Sequence, residues 1–592
     1  MHQSLLLSKP GLRALSLNQE AELRLWEKLG IAGLVLLWLG LRSFSVYDHL
    51  WDSDEAQHLH VVWEWTQGLL PYRDFFDNHT PLFHVLFAPV LRLFGERADI
   101  IELMRGCMVP LIALIFWCTY RIGAQVFSRR VGIIAALLGA FYPHHFFKIG
   151  EFRTDVLWTV FWMLSLVWLT RPGRMRRHEF LAGLALGAAF AASQKTVLLA
   201  LVLLAGTAGT LLLTRLGRRH AMDGETPPMR SWRPLGPWFW LGLCLVPAGF
   251  LGFFWAEGAW SRMVYCVVRF NLSTGEEMLH RPAWLDPNQA RFWLIVPTAV
   301  VAWQIWQRSF SADRARRQVF LLLVGGSYCT VLFGLWTVVS AQDYLPYYPV
   351  WLIGVVAGLA WLGGTIVRWA GNREELVRAL LVLLLFGAEI TWLVKDFHFS
   401  RHRNQFKIEQ VREVLALTRP DEAVLDAKGG SIYRPRAVPY VMETLTRWRM
   451  REGQLANDVP QRLVQQRTAV AINLSWFPRQ TQDFINANYV WVGLVHVAGK
   501  TLFPGEDGPC NFQVLIPGRY RVVSAQGSVS GRLDGHAVGE ETLELEPGPH
   551  RFQSDQPVVG PIYLLAEQAV ARGFTPFNEA LKSLEPGRKY AD

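Results

Sequence analysis

Between residues 28 and 395 the chain alternates long apolar runs with short polar connections, and beyond about residue 400 the apolar runs shrink to strand length. A helix needs about 20 apolar residues to cross a hydrocarbon core of roughly 30 Å. About eleven runs approach that length, near 28–46, 102–120, 131–147, 154–170, 179–193, 196–214, 236–256, 292–307, 318–340, 346–367 and 377–395. Each is predicted to be a transmembrane helix. A shorter run at 81–94 follows Pro81 and reads as a juxtamembrane or tilted helix. Farther on, "AVLDA" (423–427), "TAVAINL" (468–474) and "YVWVGLV" (489–495) read as strands between helix-like segments near 405–418, 440–452 and 458–467. The rest alternates apolar residues with Gly and Pro as a small β-sandwich does. The pattern therefore predicts a polytopic α-helical membrane domain over 1–398, an α/β domain over 399–500 and a small β-rich domain over 501–592.

Charge gives the topology. Taking alternate loops from a cytoplasmic N-terminus, the inner set holds 23 Lys and Arg and the outer set 10, although the outer loops are longer. Positive charge collects on the cytoplasmic side, so the N-terminus is expected inside and the C-terminal domains outside, in the periplasm. The first outer loop then covers about 46–101. The first run leads through Leu41-Arg42-Ser43-Phe44 with no small-residue cleavage site, as a retained anchor does. With 51% hydrophobic and 18% charged residues and a mean hydropathy of +0.18, an ordinary soluble enzyme is excluded. The net charge of +10 lies mostly in inner loops and is a topology signal, not a nucleic-acid footprint. Six cysteines without CxxC spacing argue against a disulfide framework or structural zinc.

Ionisable residues near the membrane are costly and usually line a cavity or pathway. On this topology they gather on the outer side. The first outer loop carries Asp48, Asp52, Asp54, Glu55, Glu64, Asp74 and Asp77 among eight aromatic residues from Tyr47 to Phe83. The second outer connection adds Lys148, Glu151, Arg153 and Asp155, the third Gln194 and Lys195, and the fifth Gln342, Asp343 and Tyr344. Any one of these has an ordinary explanation: a solvated loop carboxylate, a Lys195 that snorkels to the interface, an Arg153–Asp155 pair tying two spans together. Their convergence on one face suits an anionic, sugar-carrying lipid. Attack on an anomeric carbon needs a carboxylate base, and departure of phosphate needs cations on its oxygens. Asp52-Ser53-Asp54 has a spacing that permits a divalent cation, though a metal-free site is favoured. Gly499-Lys500-Thr501 lacks an upstream glycine at P-loop spacing, and the adjacent His144 and His145 point to different sides of a helix and cannot share one ion.

Four segments carry a family resemblance: "DSDEAQHLHVVWEWTQGLLPYRDFFDNHTPL", "FRTDVLWTVFWMLSLVWL", "SQKTVLLAL" and "DYLPYYPVWLIG". The membrane domain resembles the GT-C-type polytopic glycosyltransferases, particularly bacterial relatives of the protein mannosyltransferases and of the lipid A aminoarabinose transferase. The resemblance implies a polyprenyl-phosphate-linked sugar donor, a cell-envelope acceptor and inverting transfer on the outer face of a bacterial inner membrane. It implies Asp54 as catalytic base with Glu55 shaping the acceptor site, and Arg153 and Lys195 on the donor phosphate. Asp155 would orient Arg153 or touch the sugar, and Gln342, Asp343 and Tyr344 would join the donor-binding set. Where many relatives place Lys before a proline pair, this chain has Asn78-His79-Thr80-Pro81, so His79 would donate to phosphate with a charge set by pH. The alternative is a transporter or flippase of lipid-linked saccharide, which would place its charges near the bilayer midplane on broken helices.

Overall fold

The computed structural model describes residues 22–220, 235–272, 313–336, 339–369, 373–399, 403–503, 509–539, 541–555 and 560–578. Ten of the predicted spans fall on helices: α1 (Leu25–Asp48), α4 (Ile100–Val126), α5 (Arg129–Phe141), α7 (Thr154–Leu169), α8 (Arg176–Ala192), α9 (Thr196–His220), α10 (Pro237–Ala256), α11 (Asp313–Leu335), α12 (Tyr347–Trp369) and α13 (Glu374–Lys395). The run at 292–307 lies outside the described residues. Among the described residues, five helices are long and apolar enough to cross a membrane, or six if the bent pair α6 (Pro143–Ile149) and α7 counts as one span. Between the spans lie α2 (Ser53–Thr66) and the 13-residue α3 (Leu82–Phe94), which is shorter than a span.

The predicted span at 131–147 is broken. Pro143 cannot continue a helix through its missing N–H, so α5 ends before Tyr142 and α6 starts afresh with Pro143 at its first turn. From α6 the chain turns by 112° into α7. That corner carries Glu151 and Arg153.

Lipid solvates what water could not. Leu25, Leu29 and Leu36 on α1, Leu245 on α10, and Leu383 and Leu384 on α13 stand exposed, an apolar surface that a water-soluble domain would hide. Where helices touch, small residues bring the backbones together. A Cβ at Gly183 of α8 would strike the Phe239 carbonyl of α10, and one at Gly242 of α10 would strike that of Phe180. Gly183→Ala is therefore expected to lower the thermal midpoint of the purified protein, at a cost of about 1–3 kcal/mol typical of overpacking. An unchanged midpoint would show that the two helices separate freely.

Among the described residues, the C-terminal region begins with α14 (Gln405–Leu417) and holds two sheets. The larger has eight strands, ordered β1 (Val424–Leu425), β2 (Val470–Ala471), β4 (Val495–Leu502), β12 (Ile562–Ala566), β6 (Gly518–Ser524) and β10 (Leu543–Leu545), with β3 (Tyr489–Val492) on β4 and β7 (Gly527–Ser528) on β6. Strands β1 and β2 run parallel, the remaining pairs antiparallel. The smaller sheet orders β5 (Cys510–Val514), β11 (Gly548–Ser554), β8 (Gly531–Leu533) and β9 (His536–Val538). Strand β4 runs across residue 500 and pairs with β12, so the α/β and β-rich parts share one sheet and one core.

This region is stitched to the first loop. The Asn404 amide accepts the Trp51 N–H at 2.9 Å and donates to the Tyr47 and His49 carbonyls at 3.1 and 3.0 Å. His60 meets the Ile432 carbonyl at 2.9 Å, and Arg434 pairs with Glu96 at 3.1 Å. Ile432 and Tyr433 belong to the hydrophobic core of the helical domain.

Candidate functional site

The first loop enters α2 through a capping box. Asp52 accepts the Asp54 N–H at 2.9 Å, and its own N–H donates to Glu55 at 2.9 Å, which satisfies donors that a helix start leaves open. The Asp-Ser-Asp-Glu run is thus a helix start, and it aims Asp54 and Glu55 in different directions. Successive residues on a helix of 3.6 per turn lie about 100° apart. Glu55 turns inward, fully buried, to Arg105 at 2.5 and 2.7 Å and to the Phe152 N–H at 2.9 Å. Its carboxylate is consumed by the scaffold, in contrast to the acceptor-shaping role expected for it. Asp54 keeps a side chain 28% exposed and turns toward the junctions of the other helices.

Those junctions deliver alternating charges. Arg153, the residue preceding α7, donates to Asp54 at 2.6 Å, to Glu151 at 2.9 Å and to Asp155 at 3.4 Å. Asp155, in the first turn of α7, accepts from Lys195 at 3.2 Å. Lys195 sits in the break between α8 and α9 and also binds Asp343. Asp343 lies in the short turn Ala341–Tyr344 that leads to α12, fixed by the Ser340 N–H at 2.8 Å. Lys148 adds a branch, 3.1 Å from Asp52 and 2.8 Å from Glu151. Of the residues singled out in the sequence, Asp54, Arg153, Asp155, Lys195 and Asp343 therefore form one connected chain. Tyr344 is buried and stacks on Tyr348 at 6.0 Å between ring centroids, while Gln342 stands half-buried beside the chain.

Burial opposes every charge in this chain; the partners prevail at Asp54, Glu151 and Lys195, whereas burial prevails at Asp343 and pushes its carboxyl up. For Asp54 burial alone would raise the pKa, but the Arg153 and Lys428 charges outweigh it and hold the carboxyl well below the usual range. Burial likewise pushes Glu151 up, yet the His49 hydrogen bond and the Arg153 and Lys148 charges bring it down to about 2. Lys195 loses hydration on burial, and Asp155 and Asp343 more than restore its charge. Asp52 and Asp54 are turned to Lys148 and to Arg153 and Lys428 respectively, and among the described residues no group of three ligating side chains gathers in metal-binding geometry.

His79 stays near the chain without joining its ion pairs. Its Nδ1 lies 2.9 Å from Asp77, and its ring lies 4.6 Å from that of His58. Burial lowers its pKa, but the Asp77 hydrogen bond and charge prevail and raise it. A raised folded-state value means the pair stabilises fully below the ordinary pKa of 6.5 and loses that contribution as pH climbs through the folded value. The thermal midpoint of His79→Gln relative to the unaltered protein should therefore show its largest deficit near pH 6 and converge toward it at alkaline pH. A pH-independent difference would contradict the pairing.

Lys428 is the residue that sequence reading missed. It stands in the turn after β1, and its Nζ reaches Asp54 at 2.6 Å and Ser53 at 3.1 Å. The local signal was the Gly429-Gly430 pair directly after it, which marks a turn able to approach another surface.

Residues 78–224 match the dolichyl-phosphate-mannose-protein mannosyltransferase family. His79, Arg153, Asp155 and Lys195 lie inside that segment. Among solved structures, the chain is similar to ArnT from Cupriavidus metallidurans in the apo state, with 13% identity, a TM-score of 0.53, and coverage of 79% of this chain and 98% of that one. The same protein bound to undecaprenyl phosphate aligns with a TM-score of 0.48 at 13% identity over 72% of this chain and 88% of that one. The archaeal oligosaccharyltransferase AglB from Archaeoglobus fulgidus, in complex with an inhibitory peptide and a dolichol-phosphate, aligns with a TM-score of 0.42 at 11% identity over 76% and 70%. No curated protein matches the chain by sequence. Through the segment that matches the mannosyltransferase family model and through its fold, this multi-pass membrane protein is similar to the GT-C-type glycosyltransferases.

Proposed function

We propose that the protein transfers a sugar from a polyprenyl-phosphate donor to a cell-envelope acceptor, with inversion, on the periplasmic face of a bacterial inner membrane. The acceptor would be lipid A or its core, a glycan, a lipid or a protein. The observation that carries this reading is the partly exposed Asp54 carboxylate joined to buried Arg153, and through Asp155 to Lys195, at one set of helix junctions. A base and phosphate-binding cations meet there, as displacement at an anomeric carbon requires.

In the proposed step Asp54 takes the proton of the acceptor hydroxyl as the acceptor oxygen bonds to the anomeric carbon from the face opposite the phosphate. The anomeric C–O bond breaks with its electron pair on the phosphate oxygen, where Arg153 and Lys195 offset the charge. Phosphate leaves well, so no side chain need protonate it. Asp155 and Glu151 hold Arg153 in place, and Asp343 holds Lys195. The donor class also accords with the dolichyl-phosphate-mannose family segment.

The test is turnover of radiolabelled undecaprenyl-phosphate sugars by the purified protein in lipid nanodiscs. Release of free undecaprenyl phosphate together with labelled acceptor is the expected result, unchanged by EDTA. Tight donor binding with no turnover of any sugar would move the assignment to a transporter.

A further inference from the structure

The C-terminal region is built to deliver one cation to Asp54. Gly429 has φ +77, and a Cβ there would meet the His60 Cβ at 2.9 Å and the Ala56 carbonyl at 3.3 Å, so only glycine lets this turn lie against α2. Asp426, fully buried, fixes the turn by accepting the Lys428 N–H at 3.0 Å and the Ser431 N–H. The Lys428 ammonium then lies on Asp54 Oδ1 while Arg153 occupies Oδ2. The two cations are not equally held. Arg153 has Asp52, Asp54, Glu151 and Asp155 within 4 Å, whereas among the described ion pairs Lys428 has Asp54 alone. Lysine is also a point charge on a flexible stem, while the guanidinium is a fixed fork.

We propose that Lys428 is a positioning residue that keeps Asp54 oriented and idle until a lipid-linked sugar phosphate binds, whose anionic oxygens then draw the ammonium away and leave Asp54 free to act as base. This rests on the reading of Asp54 as base. A carboxylate clamped by two cations is a poor proton acceptor, and its basicity rises when one of them turns to another anion. Asp54 is faced by Arg153 from the start of α7, by Lys428 and Glu443 from the C-terminal region, by Asp52 and His58 from its own helix, and by His79 from the following loop. In the released state the acceptor proton passes to Asp54, the acceptor oxygen bonds to the anomeric carbon, and the departing phosphate keeps the electron pair of the broken C–O bond. With water as acceptor the products are free sugar and polyprenyl phosphate.

The experiment compares the full-length protein with Lys428→Met, Lys428→Arg and Asp54→Asn in nanodiscs, with radiolabelled undecaprenyl-phosphate sugar as probe and kcat and kcat/KM followed across pH. In Lys428→Met the acid limb of kcat/KM should move up by about one unit, since Asp54 loses a neighbouring cation. Lys428→Arg should keep the limb in place but lower kcat about tenfold, because a guanidinium fork is harder to draw off than an ammonium. A residue that only held the domains together would lower the rate at every pH and be fully rescued by arginine, so the kcat of Lys428→Arg separates the two roles. An unmoved limb in Lys428→Met, or the kcat of the unaltered protein in Lys428→Arg, overturns the proposal while an inactive Asp54→Asn leaves the base reading standing. Should Lys428→Met fail to fold, the kcat of Lys428→Arg decides alone. Full turnover by Asp54→Asn brings down both.

Discussion

Asp54→Asn should lower sugar transfer by about 10²- to 10⁴-fold, the range that a positioned general base contributes, while the protein folds and inserts as before. The substitution is nearly isosteric, and the side chain it alters is one of the more exposed in the charge chain, at 28%. Arg153 stays compensated because Glu151 and Asp155 remain at 2.9 and 3.4 Å. The Asn oxygen can still accept from Lys428, so the link between α2 and the turn after β1 is weakened, not removed. What disappears is the anionic charge held between Arg153 at the start of α7 and Lys428. Donor binding should change little, since the proposed phosphate contacts belong to Arg153 and Lys195. The measurement is turnover and undecaprenyl-phosphate affinity on the same preparation. Loss of both together would show that Asp54 organises the site instead of reacting in it, and retention of turnover would remove it from the chemistry.

The helices were legible because lipid imposes a simple demand: every backbone polar group must be satisfied within its own segment, and the side chains must be apolar for its whole length. That demand writes runs such as 102–120 and 377–395 directly into the sequence, and helices α4 and α13 occupy them. It says nothing about breaks in which apolar residues continue through a corner, so the end of α5 at Pro143 was hidden inside the run 131–147 although proline itself announced it. The site was legible as a set of charges at span ends, since ionisable groups there need a reason. That Glu55 turns away from Asp54 into the scaffold was not, because that depends on the rotation of α2, and the rotation is set by Arg105 some fifty residues later. Lys428 was beyond reach for the same reason on a larger scale. Its contact spans 374 residues and arises from the docking of a domain, and the Gly429-Gly430 turn marks a close approach without saying to which surface.

The neighbouring carboxylate should behave in the opposite way, and the contrast separates scaffold from chemistry. Arg105→Met leaves Glu55 charged, fully buried and without its counter-ion, which costs about 3–5 kcal/mol and should appear as a large drop in thermal midpoint. The loss is compounded because Arg105 also donates to the carbonyls of Val46, His49 and Leu50 at 3.0, 2.7 and 3.0 Å. Those bonds close the connection between α1 and α2 and so set the direction in which α2 presents Asp54. Activity should fall with stability in this variant, whereas in Asp54→Asn it falls alone. Pairing Arg105→Met with Glu55→Gln removes the unpaired charge and should recover part of the lost stability, but not the three carbonyl contacts, so the connection stays loose and transfer stays low. If Arg105→Met melted like the unaltered protein, Glu55 would have to be reaching solvent or another cation. The inward rotation of α2, and with it the outward aim of Asp54, would then be wrong.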